Sequence, residues 1–546
     1  MSALDVRLAR AIFVATFALY LLSSGREPPW GDGNVQYMVA EGLVHRGTLA
    51  IPKAWPDDLP HGRNGHYYST YPLVTSLVQV PGVLVLDAVT WLVPGARTLA
   101  KPLTSHLACS ALGALTCALF FVWCRDRRLS RRAASAATAI LAVGTTVWVY
   151  AHYSYSEIAQ AAFFLGLVRE LLRVRDQPVR RRAVWLGVLA GLLFSVKYIY
   201  AAALVGAALY LVLGSRRTPL AAIGRPAQLR LALIAGLAAL PFLVLALIYN
   251  ALCWGSPLGT GYAPYFATYW GENPMVGLWG MWLSPGKSVF LYSPPLVLGL
   301  AALPRLWRDH RAVCLAVIAA GAPVVAVYSR YKLNGDYAWG PRFLVFLVPV
   351  LSFGFAVLLD RRSRFAEGGD LRPATAVRWA RRGAVAAVIA AGVAVQLLGN
   401  AFYWDHFIRI SMDARQAWLG QPNRSGAIIP VRGDGHCDSC FEDIHQLEWL
   451  PPFQPIRGHL WLLCATLAGD DAKAAEARAP WHDTTQLAVE LSNSYPRVRI
   501  DWWGLLWIND APGAWPSGLV VLIGFAAGAG LGLRGWRRAL RASEDS

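Results

Sequence analysis

Residues 30–81 read WGDGNVQYMVAEGLVHRGTLAIPKAWPDDLPHGRNGHYYSTYPLVTSLVQVP, and the rest of the chain is organised around this stretch. It follows an apolar run from about Ala11 to Leu22, which with its flanks is long enough for one helix across a hydrocarbon core of roughly 30 Å. Residues 35–44 have the pattern of a short amphipathic helix, and residues 70–93 that of a longer apolar helix lying along the membrane interface. The stretch therefore predicts a first outer loop, 25–101, that contains juxtamembrane helices.

The amino-acid composition indicates whether the chain folds in water or in a lipid bilayer. Hydrophobic residues make up 55% of the 546 residues, charged residues make up 15%, and the mean hydropathy is +0.39. Ordinary soluble domains carry roughly a quarter charged residues. The net charge of +18 would suit a nucleic-acid-binding protein, but the basic residues fall in short blocks between apolar runs, as the positive-inside rule requires of a membrane protein. The sequence predicts an integral membrane protein with no nucleic-acid partner.

Alternating the apolar runs between the basic blocks gives about twelve transmembrane helices, with both termini in the cytosol. The run 183–213 lies between two basic blocks, so we expect a hairpin of two short helices with its tip near residues 195–200. The predicted fold class is an all-α polytopic protein of the plasma (inner) membrane. It divides into a membrane module (1–402), an extracytoplasmic domain (403–514), and a last transmembrane helix with a basic cytosolic tail (515–546).

Several charged residues fall at the outer ends of helices on this topology: Asp32, Lys197, Lys287, Arg330, Lys332, Asp336 and Arg342. Charges at membrane depth cost insertion free energy and are usually functional or paired, although cations that reach lipid phosphates are the simpler alternative. A carboxylate among cations suits sugar transfer from a lipid-phosphate carrier. The carboxylate takes a proton from the acceptor, and the cations stabilise the leaving phosphate.

Motifs in consistent order resemble those of the GT-C fold integral-membrane glycosyltransferases, a superfamily that includes the lipid A aminoarabinose transferases and the protein O-mannosyltransferases. The first motif follows the first transmembrane helix and comprises Gly31, Asp32, Tyr37, Ala40, Leu43 and Gly47. The others are YSTYP at 68–72, GTTVWVYAHYSYSE at 144–157, LSPGKSVFLYSPPL at 283–296 and GDYAWGPRFLVFLVP at 335–349. The resemblance covers roughly residues 1–360 and implies a GT-C-like fold.

The resemblance also implies roles for particular residues. Asp32 would be the general base of an inverting transfer, and Arg342 would grip the donor phosphate, with Lys287 and Lys197 as further phosphate ligands. The substrate pocket would include Glu157, Tyr68, Tyr71 and Asp336. The implied partners are a polyprenyl-phosphate-sugar donor, an extracytoplasmic lipid, glycan or protein acceptor, and membrane lipid.

Two departures from the superfamily pattern bear on the site. The aminoarabinose transferases carry a Glu-Lys pair where this chain has residues 69–71, Ser-Thr-Tyr, and several relatives have a second acidic residue where Gly33 follows Asp32. No cofactor is firmly implied, and no metal ligands are assigned. A divalent cation would have to use Asp32 together with Glu157 or Asp336.

Other interpretations remain open at this stage. Asp32 would serve equally as a turn residue that caps a helix beginning near Asn34, and Glu157 as a helix-start carboxylate favoured by the helix dipole. For the whole chain, the alternatives are a multi-span transporter or flippase of a lipid-linked or anionic substrate, and a non-catalytic membrane scaffold. No internal repeat of the transporter kind is evident.

The outer domain has two features of its own. GHCDSC places two residues between Cys437 and Cys440, which predicts a disulfide in an oxidising compartment, with free thiols or a zinc site as alternatives. The segment 501–510, DWWGLLWIND, is rich in tryptophan, so we expect it to lie on the membrane surface and to hold the domain over the site. By analogy with the superfamily, this domain shapes the choice of acceptor.

Overall fold

The computed structural model describes residues 2–26, 31–52, 61–153, 155–213, 219–263, 266, 269–332, 338–360, 375–404, 406–408, 410–411, 445–480, 498–510 and 515–542. These residues form helices joined by short connections, together with three isolated β-bridges. The helices up to the middle of the chain are α1 (Ala3–Leu22), α2 (Gly31–Arg46), α3 (Leu73–Leu77), α4 (Val80–Leu92), α5 (Arg97–Ser105), α6 (Leu107–Asp126), α7 (Arg131–Gly144), α8 (Val147–Tyr150), α9 (Glu157–Asp176), α10 (Arg180–Val196), α11 (Ala201–Leu213), α12 (Pro219–Ala222) and α13 (Gly224–Trp254).

The second half is built in the same way. Its helices are α14 (Pro274–Leu283), α15 (Val289–Tyr292), α16 (Leu296–Ala301), α17 (Leu303–Asp309), α18 (Arg311–Tyr328), α19 (Val348–Leu351), α20 (Phe353–Leu359), α21 (Thr375–Ala401), α22 (His445–Trp449), α23 (Pro455–Ala468), α24 (Ala472–Ala477) and α25 (Trp515–Ala542). Short 3₁₀ helices lie at Arg63–Gly65, Tyr198–Tyr200, Arg342–Leu347 and Pro451–Phe453, and a short π-helix lies at Leu506–Asp510.

Seven helical stretches in the described part of the chain are long and apolar enough to cross a membrane. They are Leu73–Leu92, Arg97–Asp126, Gly224–Trp254, Arg311–Tyr328, Arg342–Leu359, Arg382–Ala401 and Gly518–Arg541. The protein is therefore an all-helical, multi-pass membrane protein, as predicted, but a count of twelve is not confirmed. Helix α1 falls outside the set because its first eight residues include Asp5, Arg7 and Arg10.

Helix α9 lies at the centre of the membrane module. Its middle residues are fully buried, including Phe164, Leu167 and Leu171, because α6, α10 and the segment Arg342–Leu347 pack around it. A helix that is apolar on all sides is normally surrounded by other helices, and small residues such as Gly166 allow those neighbours to approach closely. The central helix thus carries Glu157, at its first turn, into the interior of the protein.

The predicted hairpin is present as a break between α10 and α11. Lys197 adopts an extended conformation there, and the turn that follows is held by hydrogen bonds from the Tyr198 hydroxyl to Asn250 (3.0 Å) and from the Tyr200 hydroxyl to Gln160 (2.7 Å). At the far end of α11 the Tyr210 hydroxyl donates to the Ala312 carbonyl (3.3 Å). The two arms splay apart, because α10 packs on α9 and α13 whereas α11 packs on α18.

The first and last helices pack against each other in opposite directions. Gly528, Gly532 and Gly535 of α25 lie against Ala18, Ala15 and Ala11 of α1, in that order. At Gly532 a Cβ atom would come within 2.5 Å of the Ala15 backbone nitrogen, so the close approach requires glycine. Because the order of contacts is reversed along the two helices, both ends of the described chain lie at the same end of the bundle.

The described parts of the segment 403–514 pack onto the membrane module. Phe402, Trp404 and Phe407 share one hydrophobic cluster with Tyr153 and Tyr155, and α23 packs on α21. The predicted disulfide falls outside the described residues, because Cys437 and Cys440 both belong to 412–444. The tryptophan-rich segment does not simply lie on the membrane surface, since Trp503 is almost fully buried and contacts the end of α1.

Candidate active site at the outer ends of the helices

The local conformation at the start of α2 brings Asp32 into the site. Gly31 has a φ of +54°, a left-handed conformation that favours glycine, and a Cβ atom there would lie 3.3 Å from the Tyr155 hydroxyl. The helix therefore begins at Gly31, earlier than the start near Asn34 that a capping role would require, and Asp32 lies in its first turn. Contacts of α2 with its neighbours hold the helix in place, including the ion pair of Glu41 with Arg97 at 3.0 Å and the hydrogen bond between His45 and Asp87 at 2.7 Å.

Arg342 joins two carboxylates that are distant in sequence. Its Nη2 atom donates to Asp32 Oδ2 at 2.6 Å, and its Nε atom lies 3.4 Å from Glu157 Oε1. The side chains of Arg342 and Glu157 are 6% and 1% exposed, whereas that of Asp32 is 23% exposed. Asp32 is thus the most exposed member of this group.

Aromatic rings hold the two cations of the site. The Arg342 guanidinium lies 5.4 Å from the ring centres of both Tyr155 and Phe343. Lys197 places its Nζ atom 4.9 Å from the centre of the Phe343 ring and 5.4 Å from that of Tyr328, and these two rings stack on each other at 4.5 Å. The rings attract the cations and keep them in place with little competing hydration.

Asp32, in the juxtamembrane helix α2, is an ionised carboxylate near neutral pH. Burial raises the pKa of Asp32, but the positive charge of Arg342 and hydrogen bonds from Tyr71 and Arg342 outweigh that effect and hold the pKa below its ordinary value of 3.8. Burial and the negative charge of Asp32 raise the pKa of Tyr71 well above its usual range, so that the hydroxyl stays protonated and donates to Asp32. Lys197 lies close enough to add to the lowering of the Asp32 pKa.

The structure therefore brings together five of the residues predicted from the sequence: Asp32, Tyr71, Glu157, Lys197 and Arg342. Two others lie apart from them. Lys287 is buried, and its Nζ atom donates to the Ala338 carbonyl at 2.6 Å, which supports the loop that leads to Arg342. Tyr68 packs its ring against Trp254.

The remaining predicted positions lie outside the site or outside the described residues. Asp336 belongs to the segment 333–337, which the structure does not describe. The backbone of Arg330 accepts hydrogen bonds from the Gly271 and Glu272 amides, and the Lys332 amide donates to the Tyr269 carbonyl, so that this turn is joined to the loop after α13. Within the described residues no group of three or more His, Cys, Asp or Glu side chains is arranged to hold a metal ion.

The aromatic residues that contact Arg342 and Lys197 were not among the site residues predicted from the sequence. Tyr155 stands two residues before Glu157 in one of the quoted motifs, and Phe343 directly follows Arg342, so both were within reach of a search for aromatic residues beside predicted charges. Tyr328 is adjacent only in space. The sequence carries no signal that would pair it with Phe343.

No protein-family model and no curated protein matches the chain. Among solved structures, it is similar to ArnT from Cupriavidus metallidurans bound to undecaprenyl phosphate, with 14% sequence identity and a TM-score of 0.43, over 97% of this chain and 76% of that chain. The same protein in the apo state matches with 16% identity and a TM-score of 0.42, over the same shares of the two chains.

A further similar structure is the archaeal oligosaccharyltransferase AglB from Archaeoglobus fulgidus, in complex with an inhibitory peptide and a dolichol-phosphate. The identity is 12% and the TM-score 0.44, over 77% of this chain and 59% of that chain.

Proposed function

We propose that the protein is a membrane glycosyltransferase that moves a sugar from a polyprenyl-phosphate donor to a hydroxyl group on an extracytoplasmic acceptor. The observation that carries the proposal is the group of Asp32, Arg342 and Glu157, with Lys197 beside it, where the predicted outer ends of the helices meet. A carboxylate that stays ionised next to fixed cations suits proton removal from the acceptor and stabilisation of a leaving phosphate. In this proposal the protein resides in the inner membrane with both termini in the cytosol.

The proposed reaction uses Asp32 as the general base. The acceptor hydroxyl gives its proton to the Asp32 carboxylate while its oxygen forms a bond to the anomeric carbon of the donor sugar. The bond between that carbon and the phosphate oxygen breaks, and the polyprenyl phosphate leaves with the bonding electrons. Attack from the side opposite the phosphate inverts the anomeric configuration.

Arg342 would exchange partners when the donor binds. Its Nε side approaches Glu157, which is buried, whereas its Nη2 atom donates to the more exposed Asp32. A donor phosphate that takes over the Nη atoms as a bidentate ligand leaves the guanidinium anchored by Glu157 and releases Asp32 to act as a base. Lys197 would supply a second positive charge to the same phosphate.

The extracytoplasmic segment 403–514 would contribute to acceptor choice, because its described parts pack directly on residues of the site. Trp404 contacts Tyr155, which in turn lies against Arg342. Undecaprenyl phosphate, as bound in the ArnT structure, is of the carrier class that we propose for the donor. The acceptor class in the proposal is a hydroxyl-bearing lipid, glycan or protein.

The test uses the purified full-length protein in lipid nanodiscs with a panel of radiolabelled polyprenyl-phosphate hexoses and pentoses, and membrane extracts as the source of acceptor. We expect Asp32→Asn to lower the transfer rate about a hundredfold or more, because a positioned general base contributes at least that factor. Asp87→Asn is the matched control, since Asp87 is a carboxylate on the neighbouring helix α4 and pairs with His45. Full transfer by Asp32→Asn at normal protein level would contradict the assignment of the base.

Arg342 variants and a transport assay complete the test. Arg342→Lys keeps a positive charge without the bidentate geometry, so we expect transfer to fall in Arg342→Lys nearly as far as in Arg342→Ala. If the donor crosses the bilayer of proteoliposomes with its sugar still attached, at equal rates for the wild type and Asp32→Asn, the protein is a flippase and the proposal fails.

A further inference from the structure

Asp501 is a buried carboxylate outside the group around Asp32. It lies in the segment 498–510 before the last helix, and its residue is 2% exposed. Its Oδ1 atom accepts a hydrogen bond from the Arg26 backbone N–H at 2.7 Å, and its Oδ2 atom accepts one from the Tyr153 hydroxyl at 2.8 Å. One side chain thus connects two segments that are more than a hundred residues apart in sequence.

The first of these segments leads to Asp32. Arg26 stands six residues before Asp32, on the connection between α1 and α2. The carboxylate approaches this connection so closely that a Cβ atom on Gly25 would lie 2.5 Å from Asp501 Oδ2. The conformation of Gly25 and Arg26, at the end of the described part of this connection, is therefore held by Asp501.

The second segment leads to Glu157. Tyr153 stands four residues before Glu157, and its carbonyl accepts a hydrogen bond from the Tyr155 amide at 2.7 Å. The Tyr153 and Tyr155 rings both contact Trp404, at 4.2 and 5.2 Å between ring centres, and Tyr155 lies against the Arg342 guanidinium. The hydrogen bond from Tyr153 to Asp501 thus orients the connection that carries Glu157.

The segment that contains Asp501 is itself fixed to the end of α1. The indole N–H groups of Trp502 and Trp503 both donate to the Leu22 carbonyl, at 2.8 and 3.1 Å, and the Trp503 amide donates to the Ser24 carbonyl at 3.1 Å. These bonds satisfy carbonyl groups at the end of a helix, which lack partners inside the helix. The hydrogen bonds of Trp502 and Trp503 therefore hold Asp501 in place beside the end of α1.

We infer that Asp501 is a positioning residue, a clamp through which the extracytoplasmic segment sets the relative placement of Asp32 and Glu157. The clamp needs a carboxylate, because its two oxygens accept from two donors at once and a charged acceptor forms the stronger bonds. An asparagine keeps one acceptor oxygen but turns an N–H₂ group towards the other donor. The catalytic consequence of the clamp rests on the function proposed above, whereas the clamp itself does not.

Hydrogen exchange measured by mass spectrometry on the substrate-free protein in nanodiscs tests the clamp. In Asp501→Asn we expect amide exchange to speed up by about tenfold in peptides covering 24–40 and 153–165, because each region loses support from a charged acceptor. Asp471→Asn is the matched control: Asp471 is exposed in the same outer segment and caps α24, a role that asparagine fills equally well. Wild-type exchange in both peptides of Asp501→Asn would overturn the inference, as would an equal increase in α18.

Tyr153→Phe removes the hydrogen bond from Tyr153 to Asp501 and leaves that from Arg26 in place. It is a mild change, because the buried ring is kept. We expect faster exchange in the 153–165 peptide alone. An equal increase in both peptides would contradict the inference that the two hydrogen bonds hold the two segments separately. In the transfer assay, Asp501→Asn should lower kcat about tenfold and leave the KM for the donor within about twofold, because Asp501 contacts Arg26 and Tyr153 and not the group around Asp32. Absence of transfer in the wild type would contradict the proposed function and leave the exchange result valid. Unchanged exchange in Asp501→Asn would contradict the clamp and leave the transfer result valid.

Discussion

Arg342 is the residue on which the geometry of the site depends. A guanidinium presents donors on two edges, and here one edge faces Glu157 while the other donates to Asp32. A lysine at this position would offer a single point charge, which lacks the two donor edges that allow the guanidinium to face both carboxylates. The pairing also keeps the carboxylate of Glu157 next to a positive charge inside the protein, where an unpaired charge would be costly.

The pKa of Asp32 predicts how activity depends on pH. The pKa lies below 3.8, so Asp32 remains an ionised base from neutral pH down through the ordinary range of aspartate, and its contribution to stability is lost only as the pH falls through that lowered value. We therefore expect the transfer rate of the wild type to show no loss from Asp32 protonation between pH 8 and 5. In Arg342→Gln the raising effect of burial is no longer opposed by that charge, so the acid limb of the residual activity moves to higher pH.

The measurement is the initial rate of transfer against pH for both proteins at donor concentrations well below KM, where the rate reports the substrate-free protein. Arg97→Gln is the control, because Arg97 pairs with Glu41 at 3.0 Å on the neighbouring helices and does not contact Asp32. An acid limb at the same pH in the wild type and in Arg342→Gln would show that the Arg342 charge does not set the pKa of the base.

At the residue scale, Asp32, Glu157, Lys197 and Arg342 were predicted from the sequence to belong to the site, but so was Lys287, and the sequence could not tell them apart. All five were expected on the same side of the membrane, and charge counting says nothing about the direction in which a side chain points. In the structure the Lys287 ammonium donates to the Ala338 carbonyl and so supports the loop before Arg342. The different roles of Lys287 and Lys197 depend on where the folded backbone places each side chain, which the sequence does not reveal.

At the scale of elements, the break between α10 and α11 was predictable because the apolar run between two basic blocks is too long for one crossing. Neither glycine nor proline stands at residues 195–200, so the position of the break came from charge counting alone. The physical cause lies in the hydrogen bonds of Tyr198 and Tyr200 to other helices. The splaying of the two arms was not predictable, because it depends on what packs beside each arm.

The contact between α1 and α25 gives a prediction at this scale. Gly532→Ala places a methyl group 2.5 Å from the Ala15 backbone nitrogen, so we expect it to destabilise the protein by about 1–3 kcal/mol, the usual cost of overpacking. Gly530→Ala is the matched control, since a Cβ atom at Gly530 meets nothing within 4 Å. There we expect no loss, or a gain of about 0.5–1 kcal/mol from the better helix former.

Thermal unfolding of the two variants in the same detergent is the measurement. Equal melting temperatures for Gly532→Ala and Gly530→Ala would show that the two helices do not pack as closely as described. A lower melting temperature for Gly530→Ala alone would place the contact on the opposite face of α25.

At the scale of the whole molecule, the two ends of the helix bundle differ in charge. One end gathers ion pairs formed by the basic blocks, among them Asp5 with Arg131 (2.9 Å) and Asp126 with Arg169 (2.8 Å). The other end carries Asp32 and its partners. Since Asp5 of α1 lies at the basic end and α25 runs in the opposite direction, both ends of the described chain lie there, and in our proposal this end faces the cytosol.

Labelling of single cysteines with a membrane-impermeant maleimide tests this orientation. In a Cys464→Ser background, we expect Arg63→Cys and Leu258→Cys to react in intact cells, because both residues are exposed near the end of α13 that faces the site. Arg181→Cys and Arg308→Cys should react only after the cells are permeabilised. The parent protein without added cysteines is the control, and the reverse pattern would overturn the assignment of the site to the outer face.

The sequence by itself determined that the chain is a helical membrane protein and where its basic blocks lie, and it predicted that Asp32 and several cations share one side. Those properties follow from composition and from the order of apolar and basic segments, which act locally along the chain. Only the tertiary structure decided that Arg342 joins Asp32 to Glu157, that Lys287 supports a loop, and that Asp501 connects the two segments leading to the carboxylates. These contacts join residues that are distant in sequence, and their geometry depends on how the helices pack.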